Sequence, residues 1–160
     1  MSTTFDNQYM QRALDLALLA KKEDDIPVGA VIFDLHSKQI IGEGYNIGNI
    51  SQDPTLHAEI VAIRNACATK KSKILNNCYM YVTLEPCAMC ATAISYARIQ
   101  RLYYGACDSK FGAVDSNIKI YHSDLDLYRP EVYGGILKKE SADLLRNYFK
   151  EKRMHQKTIL

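Results

Sequence analysis

No hydrophobic run in this sequence is long enough to cross a membrane. The longest candidate, Ala13–Ala20, has only eight residues and includes Asp15, whereas a membrane-spanning helix needs about 20 apolar residues. The same run does not resemble the core of a signal peptide, because it contains an acid and because Lys21–Asp25 follows it in place of small cleavage-site residues. We therefore predict a cytoplasmic protein with no membrane segment.

The sequence also lacks internal repeats, low-complexity tracts and linkers. Its 160 residues are 48% hydrophobic and 24% charged, which is typical of a packed globular chain and unlike a fibre or a disordered protein. A chain of this length forms about one domain. We predict that residues 1–160 make a single domain.

Charge is nearly balanced overall but unevenly distributed along the chain. The formal net charge is +2, which neither requires nor excludes a polyanionic partner. Between Lys138 and Leu160, seven Lys and Arg residues stand against three acidic residues, so this segment carries +4 and the remainder carries −2. A basic excess at one end of the chain is where we expect phosphates to bind, if the partner is a nucleic acid.

Hydrophobic periodicity predicts an α/β protein. After a loose N-terminus at residues 1–8, apolar residues three and four apart predict an amphipathic helix over Tyr9–Lys22. Two β-branched runs then predict a hairpin of Val28–Phe33 and Gln39–Tyr45. The alternation farther along favours a central mixed sheet flanked by helices, with these predicted elements: a helix from an N-cap at Thr55 to about Thr69, a strand over Cys78–Thr83, a helix over Cys87–Ala97, a strand over Arg101–Ala106, loops with at most one short helix or edge strand over residues 107–133, and a helix over Lys138–His155.

Two short motifs contain residues suited to metal chemistry. They are His57–Ala58–Glu59 and Pro86–Cys87–Ala88–Met89–Cys90, about 30 residues apart, and each opens a predicted helix. Cysteines at i and i+3 share one helix face, and the positive end of a helix lowers the pKa of a thiol, so that it becomes a thiolate ligand. His57, Cys87 and Cys90 are therefore candidate zinc ligands. Three protein ligands leave one position open, as in catalytic zinc sites.

Glu59 is the candidate catalytic residue. It lies two positions after His57, about 200° around an ideal helix, so we do not assign it as a ligand. Zinc lowers the pKa of its bound water and yields a hydroxide nucleophile, next to which a carboxylate can carry protons. Either motif alone also occurs in redox sites, structural metal sites or helix caps; the two together favour a catalytic site.

Five segments connect the chain with a known family: Pro27–Val31, Gly42–Asn46, Asp53–Glu59, Tyr81–Cys90 and Tyr104–Ala113. They resemble the bacterial tRNA-specific adenosine deaminases of the zinc-dependent cytidine/deoxycytidylate deaminase superfamily, which share the pattern H-x-E…P-C-x-x-C. The resemblance covers roughly residues 8–113 and 131–153, and Val114–Pro130 is the least similar stretch. It implies a cytidine-deaminase-like three-layer α/β/α sandwich, a homodimer with one zinc ion per chain, and hydrolytic deamination of the wobble adenosine to inosine in a tRNA anticodon stem-loop.

The resemblance also implies roles for individual residues. His57, Cys87 and Cys90 would bind zinc, and Glu59 would carry protons. The expected substrate contacts are the side chain of Asn46 on the flipped base, the backbone of Ala58 and Cys87 at the reacting centre, Asp108 and Lys110 near the target nucleotide, and Phe149 and Arg153 on the anticodon loop.

Other interpretations of these residues remain open. Phe149 fits the apolar face of the last helix, Arg153 fits an ordinary solvated face, and Asn46 fits the end of a strand. A deaminase of a free nucleobase or nucleoside, such as guanine or cytosine, would share the zinc residues; the segment Asp108–Lys110 and the basic last helix argue for RNA. A more distant alternative is a non-catalytic zinc module that binds RNA or protein.

Overall fold

One five-stranded sheet organises the chain in the computed structural model, which describes residues 4–158 and the side chains of residues 6–155. The strands are β1 (Gly29–Asp34), β2 (Gln39–Tyr45), β3 (Cys78–Leu84), β4 (Arg101–Ala106) and β5 (Glu131–Gly134). The helices are α1 (Thr4–Lys22), α2 (Gly48–Ser51), α3 (Ala58–Lys70), α4 (Ala88–Ala97) and α5 (Lys138–Thr158), and a short 3₁₀ turn covers Ile120–His122.

The sheet is mixed, as the sequence predicts. Its strand order is β2-β1-β3-β4-β5. The strand β1 pairs antiparallel with both β2 and β3, whereas β3, β4 and β5 run parallel to one another. Because β3 and β4 are parallel, the chain crosses back between them through α4. The helix α4 therefore begins at the edge of the sheet where β3 ends.

Helices cover both faces of the sheet, which confirms the three-layer α/β/α sandwich. On one face α1 buries Met10, Ala13 and Leu16 against side chains that include Val31 and Tyr81. The other face packs against α3 and α4 in a larger core, whose buried members include Ala62, Ala66 and Ile94 from the helices and Ile32, Met80 and Val82 from the strands. Ion pairs join α5 to the last turn of α1, through Lys21 and Glu151, and to the turn that follows α1, through Lys152 and Asp24.

The first helix starts earlier than its hydrophobic periodicity predicts. The prediction of a loose segment was wrong for residues 4–8, which are the first turns of α1; residues 1–3 lie outside the described part of the chain. The reason is tertiary, because Asp6 is buried and accepts a hydrogen bond of 2.9 Å from the hydroxyl of Tyr81 in β3. This contact stabilises a helical turn that has little apolar periodicity of its own.

The start of α3 was also predicted wrongly. Thr55 does not cap this helix, since its amide and hydroxyl both donate to the carboxylate of Asp53 in a local turn. The N-cap position belongs to His57, and likewise Cys87 is the N-cap of α4 rather than its first helical residue. The other predicted strands and helices occur within a few residues of the expected bounds, and the segment 107–133 contains one 3₁₀ turn and part of the edge strand β5.

None of the helices between residues 4 and 158 combines the length and apolarity needed to span a membrane. The cytoplasmic location stays a prediction.

Candidate metal centre and substrate cavity

The starts of α3 and α4 form the candidate metal centre. His57 and Cys87 both have extended backbone angles and stand immediately before the first helical residue of α3 and α4. The directions of their side chains are therefore not set by the helical repeat, and both can point to the same place beyond the helix ends. Cys90 lies one turn into α4 and is fully buried.

Three donor atoms meet at this point. The Nδ1 atom of His57 lies 3.5 Å from Sγ of Cys90 and 3.7 Å from Sγ of Cys87. One ligand atom from each residue lies within 4.8 Å of the other two. The structure thus brings together the three residues that the sequence singles out as zinc ligands.

The donor set fits zinc by its chemistry and its spacing. A tetrahedral ion with Zn–S of about 2.3 Å and Zn–N of about 2.0 Å holds its sulfur and nitrogen ligands about 3.5 Å apart. The two nitrogen–sulfur distances above match this value without rearrangement of either helix. One imidazole and two thiolates make up three of the four positions of such a site.

The local charges favour a cation between these residues. A hydrogen bond from the Cys90 thiol lowers the pKa of Cys87 to about 4 and raises that of Cys90, so the two sulfur atoms share one proton. The hydrogen bond with Cys87 also raises the pKa of His57. A divalent cation would displace these shared protons and take over the same attractions.

Glu59 lies in the first turn of α3 with only 3% of its surface exposed. Its Oε2 atom has no hydrogen-bond partner among the described residues. Burial, reinforced by the charge of Cys87, raises the pKa of Glu59 to about 7. Its distance of two residues from His57 is not an obstacle, because His57 stands outside the helix and both side chains line the same cavity.

A cavity of about 420 Å³ opens over this group. Its lining is mostly apolar, with a few polar groups at defined places, which is typical of a small-molecule site. The lining residues are Ile26, Val28, Asn46, His57, Glu59, Leu84, Glu85, Cys87, Asp108 and Phe111.

Asn46 is oriented by the start of α3. It is 8% exposed, and its Oδ1 accepts a hydrogen bond of 2.8 Å from the amide of Ala58. His57 occupies the N-cap position of α3, but its side chain makes no capping hydrogen bond. The side-chain carbonyl of Asn46 takes over this capping role. The amide of Ala58, expected at the reacting centre, is engaged by this bond. The Nδ2 atom of Asn46 is left as its donor towards the cavity.

Of the predicted nucleic-acid contacts, Asp108 lines the cavity, whereas Lys110, Phe149 and Arg153 do not. The carboxylate of Asp108 accepts hydrogen bonds from the amides of Lys110 and Phe111, at 2.9 and 3.0 Å. Phe149 is 42% exposed and packs edge-on against the buried Tyr148, so it is not a core residue. Arg153 is exposed on the last turns of α5.

Sequence reasoning missed five residues of the cavity wall: the apolar Ile26, Val28 and Leu84, together with Glu85 and Phe111. Glu85 directly precedes the Pro86–Cys90 motif. A carboxylate at the end of an apolar strand is a signal from which a functional role could have been predicted. Phe111 follows Asp108 and Lys110 in a segment already connected with the substrate. Its ring is 63% exposed at the cavity.

Comparisons with known proteins agree with this geometry. Residues 3–106 match the family profile described as the cytidine and deoxycytidylate deaminase zinc-binding region. The chain is 46% identical over 142 residues to the tRNA-specific adenosine deaminase of Rickettsia bellii, and the match covers 89% of this chain and 98% of that protein. The resemblance stated from the sequence is thereby confirmed.

Solved structures show the same similarity. A chain from a study of A-to-I editing by tRNA:A34 deaminases at the wobble position of transfer RNA superposes with a TM-score of 0.83 at 43% identity, covering 86% of this chain and 99% of that one. The guanine deaminase of Bacillus subtilis is less similar, with a TM-score of 0.59 at 34% identity, covering 74% of this chain and 85% of that one.

Proposed function

This chain belongs to the cytidine and deoxycytidylate deaminase family, and from that premise we propose that it converts adenosine to inosine at the wobble position of a tRNA anticodon loop. The observation that carries the reaction is the buried carboxylate of Glu59, with one unpartnered oxygen, beside His57, Cys87 and Cys90. The relatives support the substrate, since the tRNA deaminases are 46% and 43% identical to this chain, whereas the guanine deaminase of Bacillus subtilis is 34% identical. The proposal takes residues 1–160 as one deaminase domain.

We infer that His57, Cys87 and Cys90 hold one zinc ion per chain. When bound, zinc lowers the pKa of water towards neutrality and so supplies the nucleophile. Glu59 would accept one proton of the attacking water at Oε2 and donate it to the ring nitrogen next to the carbon under attack. The second proton of the water would pass to the amino group, which would leave as ammonia, so that adenosine and water would become inosine and ammonia. A carboxyl with a pKa of about 7 suits both steps at neutral pH.

The cavity suits a flipped purine. The Nδ2 atom of Asn46 can donate to an acceptor on the edge of the base, while Val28, Leu84 and Phe111 offer apolar surface to its faces. We expect Nδ2 to be the main contact of Asn46 with the base, because Oδ1 already accepts the amide of Ala58.

A second cavity favours an RNA loop over a free base. It also measures about 420 Å³ and shares the lining residues Ile26, Asn46 and His57 with the first, so the two cavities adjoin, and we call them together the groove. A free base needs only the inner part, whereas splayed nucleotides of a single-stranded loop need both. The exposed Phe149 and the basic side chains of α5 supply further stacking and phosphate contacts in this proposal.

We also propose a homodimer formed through α4. Met89 and Tyr96 lie two turns apart on one face of this helix and are 36% and 73% exposed. Next to Tyr96 a groove of about 640 Å³ includes Leu127 and Tyr128. A sedimentation-velocity measurement should give twice the chain mass, and Tyr96→Glu should give the monomer; a monomeric wild type would contradict this proposal.

The experiment that tests the function compares substrates for the zinc-loaded protein. Inosine formation and ammonia release are measured with an anticodon stem-loop carrying adenosine at the wobble position, and with free adenosine, guanine and cytosine. The matched control is the same stem-loop with that adenosine moved to another loop position. Inosine at the wobble position alone is the expected result. Turnover of a free base without action on RNA would overturn the substrate and favour the free-base alternative. No turnover by protein that retains zinc would favour a non-catalytic zinc module.

A further inference from the structure

Glu85 is a buried carboxylate that five donors surround. It follows the last residue of β3 and is 2% exposed. Its Oε1 accepts hydrogen bonds from the amides of Val114, Asp115 and Ser116, at 3.2, 2.8 and 2.8 Å. Its Oε2 accepts the amide of Asp108 at 3.0 Å and the hydroxyl of Ser116. One side chain thus satisfies both ends of the segment 108–116.

A second set of hydrogen bonds extends from Asp108 to the cavity. The carboxylate of Asp108 accepts the amides of Lys110 and Phe111, and its carbonyl accepts the amide of Gly112 at 2.9 Å. These bonds set the direction of Phe111, whose ring forms part of the cavity wall. The ammonium of Lys110 lies 4.9 Å from the centre of the same ring.

The segment also runs alongside the candidate metal centre. Gly112 forms an isolated antiparallel bridge with Cys87, and the amide of Ala113 donates to the carbonyl of Pro86 at 2.9 Å. A shift of the segment would therefore move the aromatic wall relative to Cys87.

We propose that Glu85 is a positioning residue for substrate binding: it folds the segment 108–116 so that the ring of Phe111 stacks on a nucleobase in the groove. The proposal rests on the proposed function. A carboxylate is suited to this task because it offers only acceptors, and all five partners are donors. Stacking of a base on an aromatic ring is a major part of the affinity for single-stranded nucleic acid.

The test is a double-mutant cycle of Glu85→Gln and Phe111→Ala in the zinc-loaded protein. Glutamine keeps the shape of the side chain but directs an NH₂ group at amide donors. Each single variant should raise KM for the stem-loop about tenfold and change kcat much less, because stacking contributes to binding. The double variant should be no worse than either single one, since the wall is already lost. Phe111→Tyr should keep the wild-type KM.

Two further variants complete the design. Ser116→Ala removes one donor to Glu85 and should raise KM about threefold, which keeps the test usable if Glu85→Gln folds poorly. Glu43→Gln makes the same chemical change at an exposed carboxylate paired with Arg12, far along the chain from this segment, and should leave KM unchanged.

The proposal is wrong if the increases in KM from Glu85→Gln and Phe111→Ala multiply in the double variant. It is also wrong if KM is unchanged in both single variants. The proposed function is tested independently of this positioning role: it is wrong if the wild type does not edit the stem-loop. In that case the double-mutant cycle is measured with whichever free base the wild type converts. A readout without turnover is trypsin cleavage after the exposed Lys110, followed by mass spectrometry. Glu85→Gln should speed this cleavage, and equal rates in the two proteins would contradict the positioning role.

Discussion

Glu59 and Glu85 are both buried glutamates on the wall of one cavity, yet the protein gives them opposite properties. Burial acts on both and raises the pKa of a carboxyl. For Glu85 the hydrogen bonds from Ser116, Asp115 and Asp108 outweigh burial, so its pKa is lowered. For Glu59 burial prevails and the pKa rises to about 7, with Oε2 left unpartnered among the described residues.

The comparison teaches that burial alone does not assign a role to a carboxylate. The number of donors aimed at it decides whether it holds its charge or exchanges a proton. Glu85 is fixed by the backbone of one segment and is suited to hold that segment in place. Glu59 keeps one carboxylate oxygen without a hydrogen-bond partner among the described residues. This free oxygen suits the proton transfer that we propose for Glu59.

Removal of the metal should distinguish the proposed roles of Glu59 and Glu85 most clearly. Dialysis against a chelator should abolish turnover, and added zinc should restore it, because the proposed reaction needs an ion held by His57, Cys87 and Cys90. Trypsin cleavage after Lys110 should stay slow in the chelated protein, since Glu85 holds its segment through hydrogen bonds alone. Faster cleavage on chelation would show that the segment depends on the metal.

The next largest effect is expected for Glu59→Gln. The variant keeps the size of the side chain but cannot carry a proton, so kcat should fall by about 10²- to 10⁴-fold with zinc content unchanged. Zinc is measured by atomic absorption and turnover by ammonia release, with Glu43→Gln as the control. Near-normal kcat would remove Glu59 from the reaction, whereas a changed KM with normal kcat would make it resemble Glu85.

The two glutamates should also respond to pH in opposite directions. Glu59 has a folded-state pKa of about 7 against an ordinary value of 4.5, so its contribution to stability is present below pH 4.5 and is lost as the pH rises through 7. Relative to Glu59→Gln, the chelated wild type should lose about 3 kcal/mol of unfolding free energy across this range. The contribution of Glu85 should instead be lost as the pH falls. Urea denaturation of the chelated proteins at several pH values measures both, and parallel curves for wild type and Glu59→Gln would contradict the assignment.

The smallest effect is expected at Gly112. A Cβ at this position would overlap the backbone carbonyl of Asp108 and the carboxylate of Glu85, so Gly112→Ala should force the segment to move. We expect KM to rise about tenfold and cleavage after Lys110 to quicken. The exposed neighbour Ser109→Ala is the control, and identical kinetics of the two variants would show that the segment tolerates the added methyl group.

The sequence predicts what depends on nearby residues. The hairpin of β1 and β2 is a local pattern of β-branched runs, and its strands occur where expected. The spacing of Cys87 and Cys90 alone predicts that the two sulfur atoms lie about one turn apart at the start of α4, and the structure places Cys87 at the N-cap of that helix. These features need no knowledge of distant contacts.

What the sequence could not predict depends on contacts between distant segments. The donors to Glu85 come from 23 to 31 residues farther along the chain, so the neighbouring sequence can single out this carboxylate but cannot show which segment it holds. The early start of α1 depends on Tyr81, which is 75 residues from Asp6. The engagement of the Asn46 carbonyl by Ala58 is of the same kind, and it decides which half of that amide can reach a substrate.

The N-cap positions of α3 and α4 have a consequence for anyone who redesigns this chain. They are occupied by His57 and Cys87, neither of which makes a capping hydrogen bond to its own helix within residues 4–158. A stability-guided search would replace both with Ser or Asp, for a gain of about 1 kcal/mol each. The more thermostable proteins so obtained would lack two of the three candidate ligands, so any library built on this scaffold should hold these two positions constant.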